Sequence, residues 1–341
     1  GRWHARTGQL SGPMARVYTD EPARTPDLLA LLAKATRFRG LFAELPELTP
    51  TLGLAGPALV EAAAPAAVVD RLLDTPTGVV RERFSYVDGE VPVVGTTWHG
   101  SDATLGSVSV GEYWLQRRPL MGYWREPGDP DWGPSRFVKL RLMKDDHDFS
   151  SAVFASVQSG GQVLWSISFV SPGGDEHIGL HQIEAGQAFE VSSLRLVLEI
   201  AGADGATVPE GPVGVGQQFR VSTPGVDLVG SVDSVSFGDR RPALRVERVD
   251  GRILLVVELL EGATSLTMRD IAPVELTGTF SLFEGTDRPE VAAPSVTVYD
   301  GNVQALWVTA DGTQLRLVAP ARVTTKTEHP QSVRTSIDGH A

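Results

Sequence analysis

The spacing of hydrophobic positions changes once along this chain. Residues 25–74 follow a helical period. In DLLALLAKATRFRGLFAEL the apolar positions Leu28, Leu31, Leu32, Ala35 and Phe38 fall on one face. Thr25 suits an N-cap, Pro26 the first helical position, and Asp27 complements the helix dipole. Gly40 ends or bends this helix, and Pro65 divides a second helical stretch, PALVEAAAPAAVVDRLLD. Two such apolar helices need a partner surface.

From Gly78 onward the period is two. Runs such as RFVKLRLM, QVLWSISFV, LRLVLEI, RILLVVELL and VQALWVTA read as strands. Asp-Gly pairs at 88–89, 250–251, 300–301 and 311–312 stand between apolar runs, the strongest short signal for a hairpin. The pattern predicts a mainly β protein. A loop and a short α-helical segment over 1–76, the remnant of a larger helical domain or a pair docked on the sheets, precede a large antiparallel β-sandwich over 77–330. A polar tail follows over 331–341. No blade-length repeat points to a propeller.

Composition narrows the function. The 341 residues are 42% hydrophobic and 21% charged, in the range of a globular protein with a substantial core. No apolar run is long enough for a membrane-spanning helix. The net charge of −12 argues against sequence-independent nucleic-acid binding. Without cysteine there are no disulfides and no thiolate metal sites. The chain starts at Gly1 with no signal-peptide pattern, so the expectation is either a removed targeting segment or a fragment.

Four stretches could carry chemistry. The opening GRWHARTGQLSGPMARVYTD contains Gln9, Arg16 and Tyr18, suited to a sugar hydroxyl, a carboxylate and a leaving oxygen; its alternative is a terminal arm. TTWHGSDATLGSVSVGEYWLQRRPLMGYW gathers Trp98, Tyr113, Trp114, Tyr123 and Trp124 around His99, Gln116, Arg117 and Arg118. Aromatic faces stack on sugar rings, and guanidinium groups hold carboxylates with paired hydrogen bonds. If this stretch is strand, alternate residues face opposite ways, and part of the set belongs to the core. KDDHDFS (144–150) has metal-ligand residue types but sits where a hairpin turn belongs. His177 and His181 in GGDEHIGLHQIEAG could serve acid–base work or simply occupy a polar loop. No metal site is assigned, no cofactor is expected, and a structural Ca²⁺ stays open. The 42 acidic residues offer no rule for choosing a hydrolytic pair.

GQLSGPMARVYTD and TLGSVSVGEYWLQRRPLMGYW together resemble large microbial proteins in which an α/α-toroid precedes a β-sandwich of the super-sandwich type. These are polysaccharide lyases of the heparinase and alginate-lyase kind. The family has His and Ser where this chain has Met14 and Ala15, and Asn where it has Leu115. The resemblance implies a cleft between helices and sandwich, and β-elimination at a 4-linked uronate. It implies Arg16 or Arg117 for carboxylate neutralisation, His99 as base and Tyr18 as acid. Gln9, Trp98, Tyr113, Trp114, Gln116, Arg118 and Trp124 would bind substrate. The implied partner is a poly- or oligosaccharide, with a missing N-terminal domain or a helical partner chain completing the cleft. A lyase of this kind would be secreted or periplasmic. A non-catalytic glycan- or partner-binding sandwich and a glycoside hydrolase are the alternatives.

Overall fold

The computed structural model describes residues 2–4, 9–11, 77–84, 93–112, 119–129, 136–149, 151–169, 173–177, 181–184, 186–208, 213–237, 240, 242–271, 275–285, 287–322 and 332–340. The helical reading of 25–74 lies outside these residues. The protein is mainly β, with antiparallel pairing throughout the described sheets.

In chain order the strands are β1 (Arg2–His4), β2 (Gln9–Ser11), β3 (Gly78–Phe84), β4 (Val93–His99), β5 (Ala103–Val108), β6 (Val110–Glu112), β7 (Leu120–Trp124) and β8 (Arg136–Lys144). They continue with β9 (His147–Asp148), β10 (Ala152–Ser159), β11 (Gln162–Phe169), β12 (Gly173–His177), β13 (His181–Glu184), β14 (Phe189–Ala201), β15 (Gln218–Ser222) and β16 (Val226–Ser236). The last are β17 (Ala243–Val249), β18 (Arg252–Leu266), β19 (Glu275–Glu284), β20 (Ser295–Tyr299), β21 (Asn302–Val308), β22 (Gln314–Pro320) and β23 (Arg334–Ile337). The single described helix, α1, is one turn at Met268–Ile271.

Three large sheets stack. A nine-stranded sheet runs β17-β18-β14-β8-β7-β5-β4-β3, with β9 added beside β8. A six-stranded sheet runs β15-β16-β19-β11-β10-β6, and a four-stranded sheet runs β20 to β23 in chain order. Two small hairpins, β1–β2 and β12–β13, complete the set. The nine- and six-stranded sheets face each other across one hydrophobic core, a sandwich-like arrangement. The four-stranded sheet covers the other face of the six-stranded sheet through a second core.

Strand β11 shows the sequence logic. Val163, Trp165, Ile167 and Phe169 enter the main core, while Leu164 on the opposite face enters the second. A strand buried on both faces loses its apolar–polar alternation and reads as a continuous run. At the edge, Ser109 joins two sheets. Its N–H donates to the Val94 carbonyl, and its own carbonyl accepts from Ser156. The chain thereby passes from β5 in one sheet to β6 in the other.

The turn chemistry follows the residue types. Asp250-Gly251 (φ 49° and 74°) joins β17 to β18, and Asp300-Gly301 (φ 48° and 71°) joins β20 to β21. These left-handed pairs fit the twist of hairpin strands. Residues 334–337 correct the expected polar tail, because they pair with β22 as β23. Ile337 packs onto the second core, which gives this mostly polar segment its apolar anchor.

Candidate functional site

The outer face of the nine-stranded sheet carries an unusual row. Cross-strand register aligns His99 with Thr104, Thr104 with Tyr123, Tyr123 with Phe137, and Phe137 with Ala201. The adjacent row runs Thr97, Gly106, Met121, Lys139 and Glu199. In-register residues share a face. The opposite face holds Leu105, Val138, Leu140, Leu196, Leu198 and Ile200 of the main core. The outer rows are buried too: Thr104 and Lys139 have no exposed surface, and His99 and Glu199 are 2% exposed.

Strand β2 runs against β5 and β7. Since β10 occupies the inner side of β5, β2 lies over the outer rows. That brings the strand containing Gln9 over the strands containing Thr104 and Tyr123.

Charge is concentrated beside this spot. Glu199 accepts from Arg141 at 3.0 Å, lies 3.5 Å from the Lys139 ammonium, and pairs closely with Arg252. Asp148 receives Arg141 through two hydrogen bonds, each of 3.1 Å. Burial opposes the Arg141 charge, but the Asp148 and Glu199 carboxylates outweigh it and push the guanidinium further above its ordinary value. The Lys139 ammonium also sits 5.0 Å from the centre of the Phe137 ring. Among the described residues, Lys139, Arg141 and Arg252 gather on Glu199, and Arg141 also reaches Asp148. Burial pushes the Tyr123 phenol well above its usual range. It therefore stays protonated, donating to the Met121 sulfur at 3.6 Å.

His99 is held from the next turn. The Glu284 carboxylate, at the end of β19, accepts the backbone N–H groups of Ser101 (3.0 Å), Asp102 (2.5 Å) and Ala103 (2.6 Å). A Cβ at position 100 would collide with that carboxylate, so Gly100 is what lets it enter. The clip ties the His99-to-Ala103 turn of one sheet to a strand of the other.

The structure separates the residues that the sequence grouped. His99 and Trp98 point to opposite faces of β4. Trp98 packs on Gly161 in the β10–β11 turn, where a Cβ would lie 3.2 Å from its ring. Trp124 is fully buried in the main core, with its indole N–H donating to Glu126 at 3.3 Å. It has no surface to offer a sugar ring, and its place is structural. Gln9 lies in β2. Arg16, Tyr18, Tyr113, Trp114, Gln116, Arg117 and Arg118 fall outside the described residues. Within KDDHDFS, Lys144 ends β8, Asp145 and Asp146 make the turn, and His147–Asp148 form β9. Asp145 there adopts φ 53° and accepts from Ser192 and Ser193, while Asp148 holds Arg141. His177 stands opposite His181 in the β12–β13 register.

Sequence reasoning passed over Lys139, Arg141 and Glu199, weighed Asp148 only as a metal-ligand type in a turn, and counted Tyr123 only as one aromatic among five. Among the described residues no group of three or more His, Asp or Glu side chains is arranged to hold a metal ion. No protein-family model matches the chain, and no curated protein does.

Proposed function

We propose that the chain is a carbohydrate-active protein that cleaves uronate-containing glycans by β-elimination. On this reading it is the sandwich part of a toroid-plus-super-sandwich lyase, with a helical segment over residues 25–74 beside the cleft. The observation that carries the reading is the run of β2 across β5 and β7. It joins the two segments that resemble the lyases on the one face that holds both His99 and Tyr123.

His99 takes the C5 proton of the uronate. The electrons form the C4=C5 double bond, and the C4–O4 bond breaks. The protonated Tyr123 or Tyr18 delivers a proton to the leaving O4. Two strand spacings, about 10 Å between backbones, separate His99 from Tyr123 with small Thr104 between, so the side chains can converge on one linkage. Arg16 or Arg117 neutralises the uronate carboxylate, and Gln9 contacts a hydroxyl. The part-exposed Arg252 beside Glu199 supports an anionic ligand on a chain of net charge −12. Exposed charges are screened over roughly 8–10 Å, so the distant acidic exterior opposes such a ligand only weakly.

The near-complete burial of His99 favours a second reading, a glycan- or partner-binding sandwich without catalysis, because a general base must touch its substrate. Incubation of the full chain with several uronate polymers separates the two. The lyase reading expects rising ultraviolet absorbance from an unsaturated product. A flat trace on every polymer, with glycan binding retained, supports the second reading and removes the first.

A further inference from the structure

The edges of the three large sheets differ in one respect. Strands β3, β15, β17 and β23 each contain arginine, and β6 is only three residues long. Charges and short length are how natural sheets keep their edges from pairing with other chains. Strand β20 is the exception. Its sequence is SVTVY, with no charge and no proline, and its register with β21 runs without a bulge. It pairs with β21 alone among the described strands.

Exposure singles out the same strand. Val296 and Val298 share the face of Val303 and Ala305, which are buried. Val296 packs on the second core, yet Val298 is 56% exposed. The core-facing side of the sheet is thus unfinished at this edge. On the other side Tyr299 is 72% exposed, and Leu306 stands opposite the small Ser295.

We infer that β20 pairs antiparallel with β20 of a second copy of this chain, about a two-fold axis through Thr297. This register is self-complementary. Val298 of each copy meets Val296 of the other, which covers the exposed valine. Tyr299 meets Ser295 of the partner copy and can lie across it toward that copy's Leu306. Thr297 faces its own counterpart. No like charges meet along the strand. The two four-stranded sheets become one continuous eight-stranded sheet. Five paired residues a side make a contact at the small end of specific interfaces, so weak, concentration-dependent association is expected.

Sedimentation across a concentration series tests this. The mass should rise from 36.5 kDa at low concentration to twice that value at high concentration. Thr297→Lys and Thr297→Glu each place like charges on the axis and should each remain monomeric, with unchanged circular dichroism and melting temperature. Mixing the two variants opposes Lys to Glu and should restore a heterodimer. Three results would overturn the inference: a wild-type chain that stays monomeric up to about 1 mM, where a dissociation constant is worth only about 4 kcal/mol, variants that dimerise as well as wild type, or a mixture of folded variants that stays monomeric. If one variant folds poorly, the other, with unchanged circular dichroism, still tests the register by comparison with wild type.

Discussion

On the outer face of the nine-stranded sheet, the Glu199 carboxylate gathers Lys139, Arg141 and Arg252. On the six-stranded sheet, Glu275 is equally buried but is held by hydroxyls, with Ser234 donating at 3.0 Å and Thr277 at 2.6 Å. Beside it, Ser231 donates to Asp233 at 2.7 Å and lies 2.7 Å from the Thr279 hydroxyl. One surface balances buried charge with opposite charge. The other dissolves its carboxylates in a layer of Ser and Thr. The difference matters because a hydroxyl rotates to a new partner, whereas a buried guanidinium that loses its carboxylate stays charged and a buried ammonium must give up its proton at a cost.

The largest effect is therefore expected at Glu199. Glu199→Ala strands Lys139, which has no exposed surface, and should cost about 3–5 kcal/mol in urea unfolding. A second change, Lys139→Met, should recover part of that loss. If Glu199→Ala costs under about 1 kcal/mol, the charged surface is no more tightly coupled than the hydroxyl one. Glu284→Ala comes next. It removes the acceptor of three backbone N–H groups, but water reaches that turn, so about 2 kcal/mol is expected.

Thr277→Val should cost about 1.5 kcal/mol, the low end for a hydrogen bond to a carboxylate, because Ser234 still holds Glu275. A loss as large as that of Glu199→Ala would erase the contrast between the surfaces. The last effect appears only with pH. Burial raises the Asp233 carboxyl to about 6, against the opposing hydrogen bond from Ser231. A carboxyl raised on folding contributes stability below about pH 4 and loses it as pH climbs through about 6. Asp233→Asn should match wild type near pH 4 and exceed it at pH 7–8 in thermal melts. Equal curves at both ends would mean that Asp233 ionises as freely in the fold as outside it.

The strands were legible because alternation is local. The Asp-Gly turns were legible because few residue types accept a left-handed backbone. Much of 96–124 looked like site chemistry and is strand as well. Its aromatic residues were grouped by nearness in sequence, although a period of two sends Trp98 and His99 to opposite faces. That separation was available from the sequence. The Lys139–Glu199 pair was not: its residues lie 60 apart, and only the β8–β14 register, set by the whole sheet, brings them together. Strand β23 was missed because RTSI is mostly polar and acquires its apolar contact only from the sheet it joins.

Division of labour on the His99–Tyr123 face is most directly tested by isotope exchange at C5 of a uronate polymer in D₂O. Wild type should cleave the polymer to an unsaturated product. Tyr123→Phe should still exchange the C5 proton for deuterium while cleaving far more slowly, and His99→Ala should do neither. Cleavage by His99→Ala at the wild-type rate, or neither exchange nor cleavage by wild type on any uronate polymer, would contradict the account.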